Sequence, residues 1–300
     1  MLKIAYHKIY KHPLPDKHRF PMQVYELLAE QLLFEGSCVS SNFFIPSIAH
    51  KKHFLRVHTL DYFQALICRN LSEREVRRIG FPLSQQLIDR EMIIADGTIK
   101  ATNYALEYGI AMNIAGGTHH AFTNRGEGFC MLNDQAVAAR YAQKQKGVGK
   151  ILILDLDVHQ GNGSAQIFKA DPSVFTFSMH GKNNYPFFKE QSDLDIELQN
   201  GIKDQEYLSI LKATLPKLIS QEQPKLIFYQ CGVDILQSDA LGKLSLSLNG
   251  CKERDRIVLQ SCYNNKIPVV CCMGGGYSKD IKIIVEAHAN TFRLAQEIYF

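Results

Sequence analysis

Three ionisable side chains, Asp155, Asp157 and His159, occupy alternate positions directly after the apolar run 151–154. The run predicts a buried strand, and alternate side chains of an extended segment share one face. We therefore expect two carboxylates and an imidazole at the carboxyl end of a strand, where open α/β sheets bind ligands. Such oxygen and nitrogen ligands suit a zinc-like divalent ion. The alternative is a strand end with solvated acids and a helix cap.

A scaffold for this chemistry is visible in the apolar runs that recur along the chain. Runs typical of buried strands cover 2–6, 111–115, 151–154, 174–178, 226–230 and 269–273. Segments with helical character lie between most of them, at 98–108, 133–144, 205–219, 252–264 and 279–298. This alternation predicts a single-domain, three-layer α/β/α fold over residues 1–300, with a mainly parallel central sheet.

The loops after five of the predicted strands each carry a possible ligand, an acid/base group or glycines that let the backbone approach a ligand. Their notable residues are His119 and His120, Asp157 and His159, His180, Asp234, and Gly274–Gly276 with Tyr277. Each alone has a structural explanation: Asp234 could cap a helix, and Tyr277 could be an ordinary buried tyrosine. The agreement among five loops favours one active site.

Length, composition and charge exclude several classes of protein. The chain has 300 residues, of which 46% are hydrophobic, and this is enough for a sizeable core. The net charge of +4 is modest, and the basic run 74–78 is typical of a solvated helix face, so we expect no direct nucleic-acid binding. We find no apolar stretch that could span a membrane and no signal peptide. Eight cysteines without a CxxC pair indicate reduced thiols and a cytoplasmic protein, or a nuclear one in a eukaryote.

Four long motifs surround these loops. They are Asn124-Arg-Gly-Glu-Gly-Phe-Cys130, Asp155-Leu-Asp-Val-His-Gln-Gly-Asn-Gly163, Gly232-Val-Asp-Ile-Leu236 and Leu241-Gly-Lys-Leu-Ser-Leu-Ser247. With them the chain resembles the zinc-dependent histone deacetylase family, within the arginase/deacetylase fold. The finer resemblance is to the class IV branch, and it covers nearly the whole chain, from Tyr6 to Tyr277.

The resemblance implies roles for individual residues in catalysis and metal binding. Asp157, His159 and Asp234 match the ligands of one catalytic metal ion, Zn²⁺ or Fe²⁺. The residues that match catalytic positions are the pair His119 and His120, Asp155 behind His119, Asn162 behind His120, and Tyr277, which would hydrogen-bond the substrate carbonyl.

The resemblance also implies a substrate tunnel and monovalent cation sites. The tunnel residues are Gly128, Phe129, Cys130, Tyr185 and Gly275. A potassium ion would lie near Asp155, Asp157, His159, Ser178 and Met179, held partly by backbone oxygens. A second such site resembles Phe168, Asp171 and Val174.

Physical chemistry connects these roles into hydrolysis of an amide. Three protein ligands leave an open position on zinc, which would polarise the substrate carbonyl and acidify water. A histidine would take the water proton and later protonate the leaving amine, while Tyr277 would stabilise the oxyanion.

Two positions depart from the common pattern of the family. Asn162 stands where many members have an acid, a feature shared by the class IV branch, and an amide raises the pKa of His120 less than a carboxylate would. The rim segment 81–84 lacks the acid with which many relatives hold the substrate backbone, so we expect a different mode of peptide recognition.

We expect hydrolysis of N-acyl-lysine amides, with a preference for medium or long acyl chains over acetyl. The partner would be an acyl-lysine protein or peptide, or an acylated small amine. One rival is an acylpolyamine or other small-amide amidohydrolase. Another is a two-metal ureohydrolase, against which the segment 160–163 offers no further aspartate. A third is an inactive acyl-lysine binding module, and the intact set of active-site residues opposes it.

Overall fold

The centre of the molecule is one eight-stranded sheet in a computed structural model that describes all residues 1–300. All its strand pairs are parallel, and their order is β2-β1-β3-β8-β7-β4-β5-β6. The strands are β1 (Lys3–Ala5), β2 (Phe43–Phe44), β3 (Ile110–Asn113), β4 (Ile151–Asp155), β5 (Val174–Gly181), β6 (Leu194–Leu198), β7 (Leu226–Gln230) and β8 (Val269–Cys272). The predicted α/β fold with a parallel sheet is confirmed.

Ten α-helices surround the sheet. They are α1 (Val24–Phe34), α2 (Lys51–Phe54), α3 (Leu60–Ile67), α4 (Glu73–Ile79), α5 (Gln85–Tyr108), α6 (Asp134–Lys146), α7 (Asn162–Phe168), α8 (Asp204–Glu222), α9 (Leu248–Asn264) and α10 (Ile281–Tyr299). One group packs α5 against α6, and another packs α8, α9, α10 and α1 in series. Every residue of β3, β4, β7 and β8 is buried, so both faces of the central sheet are covered.

Helix α5 differs from its predicted extent, because it begins at Gln85 and not at Thr98. Gly97, a poor helix former, interrupts the sequence pattern in the middle of this helix. A Cβ at Gly97 would lie 2.6 Å from the Tyr10 hydroxyl oxygen and 2.8 Å from Asn113 Nδ2. The close approach of α5 to the sheet therefore requires glycine there and outweighs its low helix propensity.

The core is one cluster of 82 buried residues. All eight cysteines are free, and seven of them are buried. None of the helices combines the length and the apolar composition that crossing a membrane would require.

His58 ties the segment before α3 to the loop that leads into α6. Its Nδ1 donates to the Phe122 carbonyl over 2.9 Å, and its Nε2 accepts the Asn133 N–H over 3.1 Å. The neutral ring thus uses both nitrogens, and burial lowers the pKa of His58 to about 4. Protonation of His58 would break the bond from Asn133.

We expect the free energy of unfolding to fall as the pH drops from 6.5 to about 4, the ordinary and the folded-state pKa of His58. In this window the imidazole of His58 is protonated in the unfolded chain but not in the folded chain. The free energy of unfolding therefore falls by about 1.4 kcal/mol for each pH unit of acidification. Urea unfolding of the chelated protein between about pH 7.5 and 4.5 measures this loss.

The matched variant is His58→Gln, which has no imidazole to titrate. Its deficit in unfolding free energy relative to wild type should shrink by about 1.4 kcal/mol per pH unit below pH 6.5. A deficit that stays constant over the whole range would contradict the assignment.

Candidate active site

The loops that follow β4 and β7 bring Asp157, His159 and Asp234 together. One ligand atom of each residue lies within 4.8 Å of the others, and all three residues are buried. His159 Nδ1 lies 3.1 Å from Asp157 Oδ1 and 3.0 Å from Asp234 Oδ2. Buried carboxylates are costly without a compensating cation. Two oxygen ligands and one nitrogen ligand, with no fourth protein ligand, fit a catalytic zinc ion.

The charges around His159 also favour a cation at this site. Burial lowers the pKa of His159, but the hydrogen bonds and charges of Asp157 and Asp234 outweigh burial and raise it to about 10. The two carboxylates thus favour positive charge beside Nδ1, where a metal ion would bind. Since a histidine ligand must be neutral, metal binding would displace any proton from Nδ1.

Backbone N–H groups hold the carboxylates that surround His159. Asp157 Oδ2 accepts the Gly275 N–H over 2.9 Å, and Asp234 Oδ1 accepts the Val158 N–H over 2.9 Å. A Cβ at Gly232 would lie 2.1 Å from Asp157 Oδ2, and one at Gly275 would lie 2.2 Å from Asp234 Oδ2. Glycine at these two positions lets the loops approach the ligands closely.

The strand before the predicted metal ligands covers the predicted run 151–154 and Asp155, but it does not continue through Asp157 and His159. β4 ends at Asp155, and Asp157 and His159 lie in the bend that follows, so the shared strand face predicted for all three residues is wrong. Asp155 Oδ1 accepts the Asp157 N–H over 3.1 Å, and Asp157 Oδ1 accepts the His159 N–H over 3.0 Å. These local side-chain bonds turn the backbone in place of strand pairing. The residues still converge, but Asp155 points to His119.

His119 and His120 lie beside the three ligands, with ring centroids 4.0 Å apart. His119 Nδ1 is 2.8 Å from Asp155 Oδ2, and His120 Nδ1 is 2.7 Å from Asn162 Oδ1. Burial and the charge of His119 hold the pKa of His120 well below its usual value. Burial also opposes charge on His119, but Asp155 and Asp157 outweigh it and raise the pKa of His119. His120 is therefore neutral near pH 7, whereas Asp155 and Asp157 make His119 more basic than a free imidazole.

The tyrosine predicted to bind the substrate carbonyl stands at the same site. The Tyr277 ring centroid lies 6.4 Å from that of His159 and 6.2 Å from that of Phe129. Burial, followed by the charges of Asp234 and Asp157, raises the pKa of Tyr277 well above its usual value. The phenol is therefore neutral near pH 7 and can donate a hydrogen bond.

Two cavities lie at these groups and share the lining residues His120, Gly128, Phe129, His159 and Tyr277. The inner one, of about 40 Å³, is lined by the predicted tunnel residues Gly128, Phe129, Cys130 and Gly275 together with the histidine pair and Tyr277. The outer one, of about 360 Å³, is lined by Tyr185, whose ring stands edge-on to His120 with a centroid distance of 5.0 Å. All five predicted tunnel residues thus line a cavity at the site.

Sequence analysis missed the residues that hold the histidine loop. Asp134 Oδ1 accepts the Thr118 N–H over 2.8 Å and the Thr118 hydroxyl over 2.7 Å. Gln230 Nε2 donates to the Gly117 carbonyl over 2.9 Å, and Gly117 has a φ of +77°. The position of Asp134 at the start of α6 was the available signal, since an acid there is commonly interpreted as a helix cap.

Arg254, on α9, is a second residue that sequence analysis missed. Its guanidinium is fully buried and donates to the carbonyls of Leu156, Cys231 and Gly232, in the loops that carry the predicted metal ligands. Asp255 balances its charge, with 2.8 Å between Arg254 Nη2 and Asp255 Oδ1. No sequence motif indicates the role of Arg254 and Asp255, because the loops that they hold are distant from them in the sequence.

The residues predicted for monovalent cations lie near one another at two places. Asp155 pairs in register with Ser178 on the adjacent strand β5, and Met179 follows. At the second place one turn contains Phe168, Asp171 and Val174, with the Asp171 N–H bonded to the Phe168 carbonyl over 2.8 Å. Potassium at either place stays a prediction.

Comparison with known proteins identifies relatives of the chain by sequence and by fold. The sequence profile of the histone deacetylase domain matches residues 15–292. The chain is 44% identical to an uncharacterized protein of Picosynechococcus sp. over 99% of both chains. It is 31% identical to Histone deacetylase 2 of Arabidopsis thaliana, over 92% of this chain and 74% of the relative. The solved structure of an HDAC homologue from Aquifex aeolicus superposes with a TM-score of 0.84 at 25% identity, covering 97% of this chain and 82% of the homologue. The chain therefore belongs to the histone deacetylase family of hydrolases.

Proposed function

We propose that this single catalytic domain is a zinc-dependent lysine deacylase that hydrolyses the N-acyl amide of acyl-lysine with water. The observation that carries the proposal is the convergence of Asp157, His159 and Asp234 within 4.8 Å, beside two histidines and a neutral tyrosine. When bound, the zinc ion supplies Lewis acidity toward the amide carbonyl and the attacking water.

The side chains around that site divide the proton transfers. His120 is neutral and takes the proton of the attacking water at Nε2, then gives it to the leaving amine. His119 is paired with Asp155, and its protonated form would stabilise negative charge near the reacting carbonyl. Tyr277 donates its hydroxyl hydrogen to the oxyanion as it forms. No step needs a covalent enzyme intermediate.

The rivals from other classes have less support. Asp157, His159 and Asp234 form the one cluster of His, Cys, Asp or Glu side chains that could hold a metal ion, which favours one catalytic ion over the two of a ureohydrolase. A binding module would not need an acid/base histidine. Here His120 is hydrogen-bonded to Asn162 and kept neutral by its lowered pKa, as a catalytic base would be. We therefore retain hydrolysis as the function.

The charges at the mouth favour a protein or peptide substrate over an acylpolyamine. Arg19, Arg78 and Lys243 line the outer cavity with exposed side chains, and no acid lines it. A polyamine would bring further positive charges to this cationic mouth, which is unfavourable. We infer that the preferred acyl-lysine lies beside acidic residues of its carrier.

The length of the acyl chain is set by the inner cavity. The resemblance to class IV predicts a medium or long chain, and each methylene fully removed from water would contribute about 0.8 kcal/mol. The cavity of about 40 Å³ is also lined by Tyr25, Arg90 and Ile94, and such a volume holds only a few water-sized groups. A long chain therefore requires movement of Tyr25 or Ile94.

A substrate panel with the zinc-loaded protein tests these proposals. We expect hydrolysis of acyl-lysine peptides, with a higher kcat/KM for peptides with acidic flanking residues than for those with basic ones. Because salt screens the charges at the mouth, the difference in kcat/KM between the two kinds of peptide should shrink as salt is added. Longer acyl chains in the same peptide, below micelle-forming concentrations, test the chain-length prediction. Equal or faster turnover of acetyl-lysine would assign ordinary deacetylation instead.

Charge reversal at the mouth gives the matched comparison. Arg78→Glu and Lys243→Glu should lower the preference for acidic peptides, whereas Lys146→Glu, at the exposed end of α6, should leave it unchanged. Faster hydrolysis of acetylpolyamines than of every peptide would favour the small-amide alternative.

Three finer assignments belong to the same proposal. The class IV branch rests on the long motifs and on Asn162. A cytoplasmic location is supported by the eight free cysteines. Potassium beside Asp155 and Ser178 would follow the family pattern.

A further inference from the structure

The carboxylate of Glu127 lies directly behind the pair formed by His120 and Asn162. Asn162 Nδ2 donates to Glu127 Oε1 over 2.8 Å, while Asn162 Oδ1 lies 2.7 Å from His120 Nδ1. All three residues are buried, and Glu127 is 8% exposed. A continuous chain of side chains therefore runs from the imidazole through a neutral amide to an acid.

The amide of Asn162 has two ends of opposite character. Its oxygen accepts a hydrogen bond from His120 Nδ1–H, which leaves Nε2 of the ring without a proton and free to act as a base. The reversed amide would present N–H groups to Nδ1, and the ring proton would then move to Nε2. The orientation of this one amide therefore selects the tautomer of His120.

An ionised carboxylate only accepts hydrogen bonds, and Glu127 is surrounded by donors. Its Oε1 also accepts the Tyr185 hydroxyl over 2.8 Å, and its Oε2 lies 3.2 Å from Arg125 Nε. Arg125 in turn stacks over the Phe122 ring at 3.4 Å. The N–H end of the Asn162 amide must face this acceptor, so the oxygen end must face His120.

We propose that Glu127 is the positioning residue that selects the reactive tautomer of His120 through the amide of Asn162. This inference rests on the proposed role of His120 as the base. The acid of this relay does not contact the histidine but lies one side chain further back. Through the amide it fixes which ring nitrogen of His120 carries the proton, and it adds no charge next to the ring.

The same carboxylate also shapes the tunnel, so the test must separate the two effects. Glu127 begins a tight turn, with the Cys130 N–H bonded to the Glu127 carbonyl over 2.9 Å, and this turn presents Gly128 and Phe129 to the cavity. Tyr185, which lines the outer cavity, is bonded to the same oxygen as Asn162. A purely structural role would alter substrate binding more than turnover.

Steady-state kinetics of the zinc-loaded protein form the first part of the test. Glu127→Gln removes the requirement that the amide face one way, and kcat should fall by about tenfold to a hundredfold with KM nearly unchanged. The exchange Glu127→Gln/Asn162→Asp puts the acceptor next to His120 and a donor amide behind it. We expect this double variant to recover most of the lost kcat.

The tautomer itself is the second readout, and it does not depend on activity. Nitrogen-15 NMR of histidine-labelled, zinc-loaded protein should show His120 protonated at Nδ1 in the wild type and mixed in Glu127→Gln. The double variant should return it to Nδ1. Tyr185→Phe, which removes the other bond to Glu127 Oε1, should leave the tautomer unchanged and serves as the control.

The proposal and the proposed function fail in different ways. An inactive wild type with the expected tautomers would overturn the function alone. Wild-type kcat and an unchanged tautomer in Glu127→Gln would overturn the role of Glu127, and so would a double variant that recovers neither. If Glu127→Gln does not fold, Glu127→Asp, which withdraws the carboxylate, replaces it under the same criteria.

Discussion

Metal analysis of the Asp157→Ala, His159→Ala and Asp234→Ala proteins should show that each has lost the divalent ion, of which the wild type carries about one per chain. Each residue supplies one of the three converging ligand atoms. Two remaining ligands cannot hold the ion, and hydrolysis should fall to background. The measurement is metal content by mass spectrometry beside turnover of an acyl-lysine peptide, and it also distinguishes zinc from iron.

Asp61→Ala is the matched control, because Asp61 is an exposed carboxylate in the first turn of α3. It should retain metal and activity. Two ions per wild-type chain would move the assignment toward the ureohydrolases. Full activity of metal-free Asp157→Ala would rule out the metal-dependent mechanism.

Tyr277→Phe should reduce kcat by about two or more orders of magnitude while metal content and fold are retained. The raised pKa keeps the Tyr277 phenol protonated, so its hydroxyl is a donor that phenylalanine lacks. The ring and its contacts with Phe129 and Phe20 stay in place. Metal content and circular dichroism verify that only the donor has been lost.

His120→Ala removes the base from the same site and should lower kcat by about a hundredfold or more. Tyr104→Phe, on α5 and stacked on Tyr108 away from the site, is the control for a lost hydroxyl. Wild-type turnover in Tyr277→Phe would mean that Tyr277 only packs in the tunnel wall.

The central strands were predictable because both of their faces are buried. A parallel strand covered on both sides is a continuous apolar run, and β4, β7 and β8 are such runs with every residue buried. The residues of the candidate site follow each of these strands within a few positions. The sequence therefore indicated both where the strands end and which residues lie at their carboxyl ends.

The edges of the sheet carried weaker signals. β2 has only two residues, Phe43–Phe44. β6, Leu194–Leu198, lies at the other edge of the sheet, alternates apolar and acidic residues and is only partly buried. Helix α4 offered a capping box, Ser72 with Glu75, which marks a helix start. Its basic residues fit the predicted solvated helix face, and Arg78 also reaches the mouth of the outer cavity.

The supporting residues of the site could not be predicted, because their roles depend on neighbours distant in sequence. Glu127 contacts Asn162 across 35 residues, and Arg254 contacts Leu156 across 98. Each alone appears as an ordinary surface charge or helix residue. Asp157 and His159 could be proposed as ligands because they stand two residues apart directly after an apolar run, and Asp234, 75 residues away from His159, was proposed through the resemblance of its motif. The residues that hold these three side chains have no such signal.

The buried guanidinium of Arg254 has a consequence for the assembly of the enzyme. It fastens the backbone of both ligand-bearing loops by hydrogen bonds that involve no ion, and Asp255, bonded to Tyr229 and Thr291, anchors it from behind. The protein itself thus holds these loops, unlike those of small zinc domains that fold only around their metal. We therefore expect loading and removal of the ion to be separable from folding, so that chelated protein stays folded and regains activity when the ion returns.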